Sequence, residues 1–244
     1  MTVAIEVSGF RKQYDGTLAA NDIGFQLPSG CVGALIGPNG AGKTTTIRCL
    51  SGILKPTAGQ LLVAGFDVVQ NPLEVKKRIA YVPDDPPLFE SLTVWEHLKF
   101  VRTAYSVAGF ETSAKQLLDE FNLWEKRNSL ASELSRGMRQ KVAIACAYLH
   151  RPDVLFFDEP LTGLDPAAIR MLKQTITARA SEGAAVLVSS HLLALVEDIC
   201  DHLVILSRGN CLFSGSKEEA LQLHTGASSL EDIFFEIVGR DESQ

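Results

Sequence analysis

The chain has 244 residues and a mass of 26.5 kDa, the upper end of what one domain usually holds, so a nucleotide-sized α/β domain with a smaller inserted lobe fits its length. Its 46% hydrophobic content is ordinary for a globular protein and supplies a sizeable core. The formal charge of -6 and pI near 5.4 argue against a nucleic-acid-binding surface, which leaves a basic excess.

The opening MTVAIEVSGFRK carries Glu6 early and lacks the apolar centre of a secretory leader. No apolar run approaches ~18 residues, so the chain is expected to be soluble and to meet any membrane through a partner. Cys31, Cys49, Cys146, Cys200 and Cys211 are scattered without a CxxC pair, and they read as reduced thiols filling small core positions.

In chain order, Val3, Ile5, Val7 and then Ile23, Phe25, Leu27 alternate as strands do, broken by Gly16 and by Pro28-Ser29-Gly30. CVGALI (31–36) is a continuous apolar run flanked by glycines, the pattern of a strand buried on both faces. GPNGAGKTTTIRCL (37–50) follows as a turn and then a helix with Ile47 and Leu50 on one side. QLLVAG (60–65) and RIAYV (78–82) read as further strands. From Asp84 to about Arg151 the texture changes: a DDPP loop, then TVWEHLKFVRTAY and SAKQLLDEFNLW with apolar residues at helical spacing. Buried strands return at VLFF (154–157), AAVLVSS (184–190) and LVILS (203–207), each expected to be separated by a helical stretch. Such alternation implies a parallel sheet covered on both faces. Two short helices are predicted in the tail, at 217–223 and 230–238, and there is no internal repeat.

Gly37-Pro38-Asn39-Gly40-Ala41-Gly42-Lys43-Thr44 fits G-x-x-x-x-G-K-[ST] between a strand and a helix, the context that pattern requires. Backbone N–H groups must point inward at phosphate oxygens, which calls for residues that tolerate unusual φ and close approach. The helix N-terminus adds its positive end. Lys43 then supplies a point charge for the β- and γ-phosphates, and Thr44 can place a hydroxyl on Mg²⁺. VLFFDEP ends a buried strand in Asp158 and Glu159. A carboxylate at that strand end can hold the Mg²⁺ shell, and the adjacent Glu159 is the natural general base for water attacking the γ-phosphate.

GPNGAGKTT, LSRGMRQK (134–141), FFDEP (156–160), TGLDP (162–166) and SSH (189–191) arrive in an order and spacing that resembles the ATP-binding-cassette (ABC) family over essentially the whole chain. The tail SLEDIFFEIVG is similar to the usual ending of cytosolic ATPase subunits of bacterial exporters with separate membrane subunits. The resemblance implies an α/β fold of phosphate-loop NTPase (RecA-like) type. It would have a mostly parallel core, an N-terminal antiparallel β subdomain and an inserted α-helical subdomain. The expected division of this single ABC ATPase domain is 1–83 and 152–215 for the core, 84–151 for the helical subdomain and 216–244 for the tail.

The resemblance also assigns roles. Tyr14 would stack on adenine, a ring face suiting a purine. Thr45 belongs with the phosphate loop. Ser135 and Gly137 would touch the γ-phosphate of ATP held by an opposite subunit, Asp165 would communicate across the dimer, and His191 would contact the γ-phosphate. Lys43, Glu159 and His191 form the expected catalytic set, and Thr44, Asp158 and Asp84 the expected metal set. His97, His150, His202 and His224 read as structural. The implied cofactors are ATP and Mg²⁺. The implied partners are a second copy, or another ABC ATPase, and integral-membrane permease subunits that choose the transported solute, with the loop around 84–92 and the helical lobe as docking surface. The chain would then lie on the cytoplasmic face of the membrane.

Two motifs depart from the family pattern. Arg136 and Met138 stand in LSRGM where LSGGQ is usual, putting a cation either at the dimer interface, against its own helix, or in solvent. Asp84 stands in YVPDD where the family has a glutamine reaching Mg²⁺ and the attacking water, and is expected to join the metal shell through water. Two readings compete with transport: a soluble ABC ATPase of DNA repair or the ribosome, and a regulatory cassette of low turnover. Neither the coiled-coil arms of the first nor its double cassettes are in this sequence, and the second rests on Asp84 and the altered signature alone.

Overall fold

The computed structural model describes residues 2–162, 164–223 and 229–242, with side chains up to residue 239; Gly163 of TGLDP and His224 lie outside the described residues. Strands β1 (Val3–Tyr14) and β2 (Thr17–Pro28) form an antiparallel hairpin across Asp15-Gly16, with Gly16 at φ +78°, the loop chemistry a tight hairpin demands. β4 (Ala58–Val63) and the two-residue β5 (Phe66–Asp67) complete a four-stranded sheet in the order β2-β1-β4-β5.

The second sheet is built from β3 (Val32–Ile36), β6 (Ile79–Val82), β7 (Val154–Asp158), β8 (Ala185–Ser190), β9 (His202–Ser207) and β10 (Asn210–Ser216), in the order β10-β9-β3-β8-β7-β6. Every neighbouring pair is parallel except β9 with β10. Successive residues of β7 show why its run is unbroken: Leu155 and Phe157 join one core, Val154 and Phe156 the other. The first core packs α3 (Val94–Tyr105), α4 (Phe110–Glu120), α5 (Arg136–Leu149) and α6 (Pro166–Ser181) on one face. The second packs α1 (Lys43–Leu50), α2 (Pro72–Arg78) and the small sheet on the other. The tail supplies α7 (Lys217–Leu223) and α8 (Leu230–Glu242).

Several expectations are corrected. No α-helix separates β8 from β9: the crossover between these parallel strands, which flank β3, is made by a 3-10 turn at Leu193–Leu195 and further turns, although its buried Leu193, Val196 and Cys200 have helix-like spacing. β10 escapes the sequence pattern because its residues are only partly buried, yet Arg208 and Gly209, at φ +46° and +81°, form the two-residue hairpin loop that pairs it with β9. α2 and β5 were also missed, both being short with few buried positions. α4 starts at Phe110 rather than near Ser113, and its predicted end, FNLW, turns into a 3-10 helix at Trp124–Lys126. The tail helix runs past 238 to Glu242.

Of the five thiols, none in a disulfide, Cys49 and Cys200 are buried as expected, and burial pushes both up to about 11, so they stay protonated. Cys31, Cys146 and Cys211 are only partly covered. His97 and His150 are structural: His97 is buried, and its Nδ1 lies 2.8 Å from the Thr93 carbonyl, which can only accept. The ring therefore carries hydrogen on Nδ1 and accepts the Phe89 N–H at Nε2 (3.0 Å). His150 stacks on Tyr105 at 3.9 Å and reaches the Ile79 carbonyl, while burial lowers its pKa. His202 opens β9.

Two glycines separate backbone strain from collision. Gly59 has φ +89°, and a Cβ there would sit 2.3 Å from the Gly9 carbonyl oxygen; Gly16 has φ +78° with open space. Gly16→Ala is expected to cost about 1–2 kcal/mol from φ alone. Gly59→Ala should cost clearly more, measured as a larger drop in urea midpoint at unchanged m.

Candidate functional site

The phosphate loop joins the end of β3 to the start of α1, with Pro38, Asn39 and Gly40 exposed. Gly40 and Gly42 take φ of +82° and +103°. Two further close approaches exclude side chains: a Cβ on Gly37 would meet the Leu206 carbonyl oxygen at 2.3 Å, and one on Gly42 the Ala19 carbonyl oxygen at 2.5 Å. Ala41 is buried and closes the turn through its N–H to the Pro38 carbonyl at 3.1 Å. The Lys43 ammonium, only 6% exposed, donates to the Gly37 and Pro38 carbonyls at 2.7 and 3.2 Å, so it lies inside the loop's curve. Thr45 follows on α1, partly buried.

Parallel pairing sets the rest. Asp158 is opposite Ser189 and Ile36 opposite Ser190, so β3, β8 and β7 end together at one edge, where open α/β sheets place their ligands. Asp158 is buried, and its Oδ1 accepts from Thr44 Oγ1 at 3.0 Å and from Ser189 Oγ at 2.7 Å. The Tyr81 hydroxyl stands 3.5 Å from Oδ2, a long contact. Thr44 and Asp158 thus put two hard oxygens side by side, a donor set that suits Mg²⁺, which takes few protein oxygens and completes its shell with phosphate and water.

Glu159 adopts φ +52°, a left-handed backbone that is uncommon outside glycine. Its N–H donates to Ser189 Oγ at 3.0 Å, and its carboxylate spans two groups: Lys43 Nζ lies 3.4 Å from Oε1, and His191 Nδ1 lies 2.9 Å from Oε2. The pairing offsets the cost of burying Lys43. The carboxylate oxygen accepts, so His191 donates from Nδ1. An amine, a carboxylate and an imidazole are thereby brought to one strand end.

The remaining candidates lie around this centre. Tyr14 ends β1 41% exposed, with Lys12 Nζ 5.0 Å from its ring centroid. Ser135 and Asp165 are helix N-caps: Ser135 Oγ accepts from the Met138 N–H at 3.4 Å, and Asp165 Oδ1 from the Ala168 N–H at 2.9 Å. Gly137 is not required by this chain's own packing, since a Cβ there would meet only Leu164 Cδ2 at 3.6 Å, an ordinary contact. The Asp84 carboxylate bonds Arg136 Nη2 at 3.1 Å, so the two departures from the family pattern meet each other. Arg136 is exposed, as one of its expected surroundings has it, and it is paired there with Asp84. Sequence reasoning also missed Ser189, which holds Asp158 and the Glu159 N–H at once; the signal was its place in SSH, one strand across from FFDEP.

The chain resembles known proteins in sequence and in fold. The family model described as "ABC transporter" matches residues 20–162. The chain is 36% identical over 224 residues to the ABC-type transporter ATP-binding protein EcsA of Bacillus subtilis (strain 168), covering 90% of each. It is 34% identical over 245 residues to the daunorubicin/doxorubicin resistance ATP-binding protein DrrA of Streptomyces peucetius, covering 100% of this chain and 74% of that protein. The Nod factor export ATP-binding protein I of Cupriavidus pinatubonensis (strain JMP 134 / LMG 1197) is 31% identical over 233 residues, 95% of this chain and 72% of that protein. A solved ATP-binding subunit of an ABC transporter superposes with a TM-score of 0.91 at 35% identity, covering 97% of this chain and 100% of that one.

Ser189→Ala removes a buried donor to Asp158 and leaves the Glu159 N–H without its acceptor. The expected outcome is a loss of about 1–3 kcal/mol of stability in urea unfolding, with slower phosphate release from ATP.

Proposed function

The chain belongs to the ABC transporter family as an ATP-binding subunit, an ATPase coupled to transport, and from that premise we propose that it is the motor of an exporter, working by ATP-driven dimerisation. The observation that carries the catalytic part is the Glu159 carboxylate held between Lys43 and His191 beside the Asp158–Thr44 pair. In this reading the N–H groups of Gly37 to Thr45 cradle the phosphates and Tyr14 stacks on adenine. Lys43 turns from the loop carbonyls to the β- and γ-phosphates. Glu159 takes the proton of the attacking water, and His191, hydrogen-bonded to Glu159, lies beside the γ-phosphate. Thr44 and Asp158 would hold Mg²⁺, whose charge neutralises the phosphates, while Asp84 stays paired with Arg136.

Ser135, at the N-cap of α5, and Gly137 form an anion-friendly helix start offered to the ATP of a second subunit, with Asp165 nearby on the same interface. A glycine that its own fold does not need makes sense where another surface must come close. The γ-phosphate is then part of the interface, and hydrolysis removes the contacts that favoured closure.

No described helix is long and apolar enough to cross a membrane. The permease partner would dock in an apolar groove of about 400 Å³ lined by Ile53, Tyr81, Pro87, Phe89, Phe100 and Tyr105, holding the chain at the cytoplasmic face. Phe89 and Phe100 are 55% and 56% exposed and pack edge-on at 5.6 Å, an apolar surface of the kind a partner covers. Export is favoured by the exporter-like tail and by two relatives whose names carry resistance and export.

Glu159→Gln is expected to lower ATP turnover by about 10²–10⁴-fold while ATP binding persists and an ATP-trapped dimer accumulates in sedimentation; undiminished turnover rejects the base assignment. Gly137→Ala should leave urea stability within about 0.5 kcal/mol yet weaken that dimer. An unchanged dimer would remove Gly137 from the interface.

A further inference from the structure

Asp84 and Arg136 are 52 positions apart in sequence and bonded at 3.1 Å. We propose that they form a positioning pair, tying the Ser135–Gly137 turn to the loop that walls the apolar groove, so that a partner seated in the groove moves the surface offered to a second subunit's ATP. This rests on the dimer reading above.

Three features support the pair. Arg136 is the first residue of α5, directly between the N-cap Ser135 and Gly137, so fixing its guanidinium restrains both. The first turn of α5 carries Arg136 and Arg139 and no acid, which sets cations at the positive end of a 14-residue helix. The Asp84 carboxylate supplies from another segment the negative charge that end favours. Finally, the loop bearing Asp84 is stiff. Pro83, Pro86 and Pro87 each fix φ, the Leu88 N–H bonds the Pro86 carbonyl at 2.9 Å, and the Phe89 N–H is held by the buried ring of His97 at 3.0 Å. Pro86, Pro87, Leu88 and Phe89 all line the groove, so a displacement there is passed to Asp84 rather than absorbed by a slack loop.

The strength of the tie is bounded. Both side chains are about half exposed, 55% for Arg136 and 49% for Asp84, so water and salt screen the pair. Its coupling is therefore a modest bias, about two- to fivefold in an equilibrium, suited to adjusting a surface rather than locking it.

Charge exchange tests the pair in the full chain. In the Glu159→Gln background, Asp84→Lys and Arg136→Glu should each raise the Mg-ATP concentration for half-dimerisation about two- to fivefold, read by sedimentation. The double exchange should return it to within about twofold of the parent, because the ion pair is rebuilt with its ends reversed. In the monomer without nucleotide, amide hydrogen exchange at 137–139 should quicken in each single variant and recover in the double. Additive single effects, or exchange rates equal in all four chains, overturn the proposal. If the Glu159→Gln chain with Asp84 and Arg136 intact does not dimerise on Mg-ATP, the dimer reading falls, and the exchange rates at 137–139 alone decide whether the pair holds the turn.

Discussion

The parallel register of β3, β8 and β7 places Ile36, Ser190, Ser189 and Asp158 at one sheet edge, and the chemistry of the protein depends on that alignment. With Asp158 opposite Ser189, one hydroxyl at 2.7 Å holds the carboxylate, and the same oxygen accepts the Glu159 N–H at 3.0 Å. A register slip of one residue would turn these side chains to the other face of the sheet. Burial of both faces prevents it, since Leu155 and Phe157 are needed in one core and Val154 and Phe156 in the other. The apolar layers thus fix polar atoms at the sheet edge to within a hydrogen bond.

Around that edge the backbone takes conformations that most sequences avoid. Gly40 and Gly42 have positive φ, and Gly37 and Gly42 stand where a Cβ would strike a carbonyl oxygen. Glu159 takes a positive φ without being a glycine, at a cost of roughly 1–3 kcal/mol that surrounding contacts must offset. Its ties to Ser189, Lys43 and His191 are those contacts, so the strained residue is held by three polar groups of the site.

Two residues read from the sequence as interface groups turn out to have a second use. Ser135 and Asp165 each cap a helix, a role worth about 1 kcal/mol that any α/β protein could employ. The capping places them at the positive ends of α5 and α6, where an approaching phosphate is also favoured. Arg136 shows the converse: a cation poorly suited to a helix start is accommodated by Asp84, which links the signature turn to the groove wall.

Much was legible in the sequence. The strand VLFF between two apolar cores, the glycines of 37–42 and the Lys43–Thr44 and Asp158–Glu159 pairs follow from local rules, because φ tolerance, strand burial and phosphate chemistry act over a few residues. What sequence could not give were contacts between distant segments: Ser189 on Asp158, His191 on Glu159, and Arg136 on Asp84. Short and half-exposed elements were lost for a related reason. β10 and α2 have few buried positions, so their apolar pattern is weak, and β10 exists because β9 offers it an edge through the Arg208-Gly209 turn. The sequence by itself determined which groups are present and which backbone shapes they tolerate. Only the tertiary structure decided which groups meet, because strand register and helix placement are set by burial summed over the whole core.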